Sequence, residues 1–134
     1  FGRKDYQQLK VIERMVRDLA MPVEILPAPI RREADGLALS LRNQYLAPAE
    51  RALAPELQRT LQVVRANWQA GGARVEVETA ATARLVAAGF VPDYVAIRRE
   101  ADLAEPAEAE HEGLIVLAAA RLGSTRLIDN LLID

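Results

Sequence analysis

LIVLAAARLGSTRLIDNLLI, residues 114–133, holds two apolar runs parted by a turn signal. Leu114–Arg121 and Thr125–Ile133 are strand-length, and Gly123-Ser124 between them predicts a β-hairpin. The longest unbroken apolar run in the chain, Leu114 to Ala120, is far too short to cross a bilayer. Upstream, Ala104–Glu112 is acidic and Ala/Glu-rich, and is expected to be an exposed loop. Tyr94–Arg98 predicts a short strand with Val95 and Ile97 on one face. Val77–Ala88 predicts a helix closed by Gly89. Pro48 suits the first turn of a helix, and Pro55 forbids one unbroken helix from there. A short helix, a break and a longer helix to about Ala70 are therefore expected, ended by Gly71-Gly72. Residues 47–134 thus predict a small α+β domain with two or three helices on an antiparallel sheet.

The first 46 residues read differently. Leu9, Ile12, Met15, Val16 and Leu19 recur at helical spacing, which predicts an amphipathic helix over Asp5–Leu19. Asp5 is placed to cap it, and Pro22 stops it. Val23–Leu26 predicts a short strand before Pro27 and Pro29. A helix followed by a strand suggests the end of an α/β unit. Ile30–Asn43 shows little periodicity and carries Asp35-Gly36, so a loop with a tight turn is expected. The fold class is then α/β: residues 1–46 as the end of a parallel-sheet nucleotide-binding domain, followed by the α+β unit. The chain opens at Phe1-Gly2 without a Met and runs straight into a polar helix, as the middle of a longer protein would.

The 134 residues carry a net charge of -2, 51% hydrophobic residues and no cysteine. A near-neutral balance argues against a dedicated nucleic-acid binder. Without cysteine there is neither a disulfide framework nor a Cys-based metal site.

Two clusters carry candidate chemistry. Gly2-Arg3-Lys4-Asp5 leads into the first helix, with Gln8 one turn on. Glycine allows close backbone approach, a helix N-terminus offers N–H donors to an anion, and Lys4 adds a mobile charge. The second cluster is Ser40-Leu41-Arg42-Asn43, where a hydroxyl and a guanidinium two residues apart can grip phosphate oxygens. Taken singly, each cluster reads better as something plainer: a capped surface helix, and a surface loop ending in a cap.

Their order changes that balance. FG-x-KDYQQL, PI-x-R-x-x-DGLALS-x-RN-x-YL, AGF-x-PDYV and AAARLG-x-TRLIDN together resemble pantothenate synthetases, from Phe1 to Asn130. The resemblance implies a Rossmann-like N-terminal domain, a smaller C-terminal domain covering the active site, and a cytoplasmic enzyme. The activity it implies is ATP-dependent joining of pantoate to β-alanine through a pantoyl adenylate. Gly2, Arg3, Lys4 and Asp5 would bind ATP, with Lys4 on phosphate oxygens and Asp5 on the ribose. Gln8 would bind pantoate, and the backbone near Arg31 would meet the adenine side. Leu39, Ser40, Leu41 and Arg42 would form the mobile phosphate loop. Lys4, Ser40 and Arg42 are the catalytic candidates.

The resemblance also implies what this chain does not carry: an ATP-binding histidine motif, further pantoate ligands, the Mg2+ ligands and the domain through which the family forms homodimers. His111, among acidic residues, is expected to be an exposed loop residue. The chain alone is not expected to catalyse ligation. Two positions depart from the family pattern: Arg3 stands where Glu is usual, and Leu41 where a second Ser is usual. Trp68 and Phe90 are expected as core or interface anchors, and Asp129 and Asn130 as strand or turn hydrogen-bonders. A non-catalytic nucleotide- or phosphate-binding module and an interaction domain remain alternatives.

Overall fold

A computed structural model describes residues 1–134. The hairpin forms as expected: β2 (Leu114–Leu122) turns at Gly123, whose φ is +59°, into β3 (Thr125–Leu132). β1 (Val91–Arg99) lies antiparallel on the other side of β2, giving a sheet of order β1-β2-β3. Pro92 is tolerated because β1 is an edge strand. The register shifts between Pro92 and Tyr94, which explains why the sequence pattern shows a strand only from Tyr94.

Every residue of the central strand β2 except Arg121 is buried, so the sheet is covered on both faces. Successive side chains alternate. Leu114, Val116, Ala118, Ala120 and Leu122 join the main core with Val95 and Ile97 of β1. α3 (Glu56–Gln69) and α4 (Arg74–Ala87) close that core with Leu57, Leu61, Val64, Val77, Ala81 and Leu85. Ile115 and Leu117 face the other way, onto Tyr6 and Leu9 of α1 (Tyr6–Asp18).

The proline reading holds. Pro48 opens α2 (Pro48–Leu53), where the Glu50 carboxylate accepts the Ala47 N–H at 2.8 Å, and Pro55 separates α2 from α3. Gly89, at φ +95°, closes α4. α4 begins at Arg74, three residues before the predicted start. Residues 104–112 form no helix or strand.

One expectation fails. Val23–Leu26 is not a strand. Pro22 and Pro27 flank it without N–H donors, and the pairing shrinks to one parallel bridge between Gly2 and Ala28. The apolar stripe of α1 is buried only over its first turn: Leu9 is 2% exposed, while Met15 and Leu19 are 40% and 69% exposed. Phe90 is a core residue, and Trp68 packs partly buried at the core's edge.

Candidate functional site

Asp5 occupies the cap position of α1, yet its carboxylate makes no capping bond, contrary to expectation. The amide N–H groups of Tyr6, Gln7 and Gln8 form no hydrogen bond within the chain. Such a helix end presents free donors and the positive end of the helix dipole to an anion.

The Ile30–Asn43 loop is folded by its turn. Gly36 adopts φ +96°, Glu33 N–H donates to Leu37 O at 2.8 Å, and Arg32 bridges Ala38. Leu37 enters the main core, fixing the loop to the sheet. The chain then presents Ser40, whose Oγ accepts the Arg42 N–H at 3.2 Å and caps a 3-10 helix over Leu41–Tyr45.

The two clusters meet. Lys4 Nζ donates to Leu39 O at 3.2 Å. Lys4, Asp5, Ser40 and Arg42, with Arg126 of β3, line one cavity of about 220 Å³. Gln8 lines a neighbouring cavity of about 210 Å³ that shares Lys4, Asp5 and Arg126 with the first. Gly2, Arg3, Arg31, Leu39 and Leu41 line neither. Arg3 and Arg31 enter through backbone carbonyls, which accept from Asn130 and from the Leu39 N–H. Leu41 points outward, 87% exposed. A larger hollow of about 410 Å³ adjoins the first cavity across Arg42 and Arg126, and two others lie elsewhere, beside Lys10 and Arg17 and beside Trp68 and His111. His111 is exposed and stacks obliquely on Trp68 at 5.7 Å.

Burial pushes the Lys4 ammonium below the usual lysine range, and the Arg42 charge pushes the same way against Asp5 and Asp129. A half-buried ammonium resting on a carbonyl, beside a guanidinium that forms no ion pair, is a place where an incoming anion gains. Arg126 is paired with Asp93 at 2.6 Å and forms a cationic wall.

Residue reasoning missed Arg32 and Arg126, and gave Asp129 and Asn130 only a strand or turn role. Arg32 makes a two-pronged ion pair with Asp129, at 2.7 and 2.9 Å. The signal available was an acid and an amide side by side in the otherwise aliphatic run Leu127–Ile133.

Fold and site together define an α+β unit with a basic cleft shaped to receive an anion. The family model described as Pantoate-beta-alanine ligase matches residues 1–132. Two crystal structures of pantothenate synthetase from Thermus thermophilus superpose with a TM-score of 0.91 at 45% identity, covering 99% of this chain and 48% of theirs. A crystal structure of pantoate-beta-alanine ligase from Francisella tularensis, complexed with beta-gamma ATP and beta-alanine, shares the fold. Its TM-score is 0.68 at 24% identity, covering 98% of this chain and 41% of that one. The chain belongs to the pantoate–β-alanine ligase family. It spans about half the length of these solved relatives. Its helices on a three-stranded antiparallel sheet match the C-terminal domain of pantothenate synthetase. No helix is long and apolar enough to cross a membrane.

Proposed function

We propose that the intact protein joins pantoate to β-alanine with ATP, through a pantoyl adenylate. A carboxylate oxygen of pantoate attacks the α-phosphorus, and pyrophosphate leaves. The β-alanine nitrogen then attacks the activated carbonyl carbon, AMP leaves, and the nitrogen loses a proton. The observation that carries this reading is the convergence of Lys4 with Ser40 and Arg42 on one cavity, although 35 residues separate Lys4 from Leu39.

In this reading Lys4, Ser40 and Arg42 hold phosphate oxygens, and the two cations stabilise charge as pyrophosphate departs. Asp5, free of any capping bond, takes the ribose hydroxyls, and Gln8 in the adjoining cavity takes pantoate. Gly2, Arg3, Arg31, Leu39 and Leu41 contribute backbone around ATP. Mg2+ arrives with the nucleotide. Residues 1–46 end the nucleotide-binding domain, and residues 47–134 form its lid. The enzyme works in the cytoplasm as a homodimer, and this chain alone is inactive.

The test is pantoate-dependent exchange of labelled pyrophosphate into ATP by the full-length protein, without β-alanine. Exchange that Lys4→Ala abolishes supports the adenylate and the role of Lys4. A folded protein that binds ATP without exchange would instead be a nucleotide-binding module. The observation favouring that second reading is the exposed Leu41 side chain in the phosphate loop, where it offers phosphate no hydroxyl.

A further inference from the structure

We propose that β3 is a two-sided clamp, and that Asn130 on it is a positioning residue that keeps the N-terminal end of α1 open for phosphate. The inference rests on the function proposed above.

β3 is an edge strand, so both its faces can be reached from the side. Asp129 falls with Leu127, Leu131 and Ile133 on the face toward α3 and α4. There its carboxylate takes Arg32, whose guanidinium also donates to Gly36 O at 3.0 Å. That contact ties the base of the Ser40–Arg42 loop to β3. Asn130 falls with Leu132 on the opposite face, toward α1. Its side-chain nitrogen donates to Arg3 O at 2.8 Å and to Lys4 O at 3.0 Å. Adjacent residues of one strand thus hold the two phosphate clusters, one from each side. Asp129 Oδ1 also accepts the Asn130 N–H at 2.8 Å, which joins the two grips.

The Asn130 contacts do more than tether. In a helix, Arg3 O and Lys4 O would accept the N–H groups of Gln7 and Gln8, four residues on. The Asn130 amide occupies both carbonyls instead, and those two N–H groups are left unbonded. Held this way, the two carbonyls are turned to β3 rather than along the helix, which disfavours a further turn of α1 and keeps Lys4 at the cavity. A carboxamide suits this position because its nitrogen carries two hydrogens.

The test uses the full-length protein with Asn130→Ala and Asn130→Asp, the second isosteric but without donors. Pyrophosphate exchange should fall about ten- to a hundred-fold in both, the scale of a displaced catalytic group. In a Lys4→Ala background, where exchange is already lost, ATP affinity read directly should fall less than about two-fold on adding Asn130→Ala, because residues acting as a unit are not additive. Hydrogen exchange gives a reading independent of activity: the Gln7 and Gln8 amides should become protected in Asn130→Ala as they pair with the freed carbonyls. If Asn130→Ala does not fold, Asn130→Ser, which keeps one donor, should show an intermediate loss. Additive losses with Lys4, or unchanged amide protection, overturn the clamp. Absence of exchange in the unmutated protein overturns the ligase reading, and the amide measurement then still decides the clamp.

Discussion

The Lys4 ammonium lies 3.2 Å from the carbonyl oxygen of Leu39, half-buried and beside Arg42, so the main cation of the site rests on a neutral acceptor. An ATP phosphate offers a far better partner.

This placement sets a pH dependence. Burial lowers the Lys4 pKa from 10.5, so its charged form is lost as pH rises through that lowered value. The alkaline limb of ATP binding should therefore fall below pH 10.5, and Lys4→Arg should move it upward. The stability sign is opposite. A lysine with a depressed folded pKa costs stability while charged, and the cost disappears once the unfolded chain also loses the proton, near pH 10.4. Lys4→Met should melt higher than the unmutated protein at about pH 7.5, with the difference gone at about pH 11. An alkaline limb unchanged by Lys4→Arg would remove Lys4 from nucleotide binding.

Leu41→Ser should raise activity. The side chain is 87% exposed, so its loss leaves no cavity and the melting temperature should hold. The gained hydroxyl adds a hydrogen bond to a charged oxygen, worth about 1.5–3 kcal/mol. If the bond forms fully in the transition state, exchange should quicken by roughly ten-fold or more. Equal rates would mean that the loop holds phosphate through Ser40 and Arg42 alone.

Gly36→Ala should destabilise the loop. At φ +96° any side chain is strained, and a Cβ there would meet Gln58 Oε1 at 2.9 Å. A loss of about 1–2 kcal/mol is expected in urea titration, from backbone strain and displacement of Gln58. ATP affinity should fall with it, because the turn sets where Ser40 and Arg42 sit. Unchanged affinity in a destabilised variant would show that the loop orders itself on the nucleotide.

The α+β unit was legible because its signals are local. Gly123-Ser124 marks the hairpin, Pro48 and Pro55 bracket α2, and Gly89 closes α4. Val23–Leu26 misled because strand propensity says nothing about whether a partner is present. The α1 stripe gave the helix correctly, Tyr6–Asp18, although periodicity shows which face is apolar and not how much of it is covered. At the cavity, motif wording had named Lys4, Asp5, Ser40 and Arg42, which the fold brings together. It could not find the Arg32–Asp129 pair, whose members stand 97 residues apart and meet only through the fold.

That pair should respond unequally to loss of its two members. Asp129 is 2% exposed and Arg32 is 22% exposed at their side chains. Arg32→Ala leaves a buried carboxylate whose one remaining donor is the Asn130 N–H, and should cost about 3–5 kcal/mol. Asp129→Asn leaves a guanidinium that keeps Gly36 O and can reach water, and should cost about 1–3 kcal/mol. Replacing both together, as Arg32→Met with Asp129→Leu, should cost less than Arg32→Ala alone, because the desolvation of two charges is removed with the pair. Urea midpoints of the three variants give the order directly. If Asp129→Asn proved the most damaging, the carboxylate would be holding the Asn130 backbone rather than neutralising Arg32, and the clamp would depend on its Asn130 side alone.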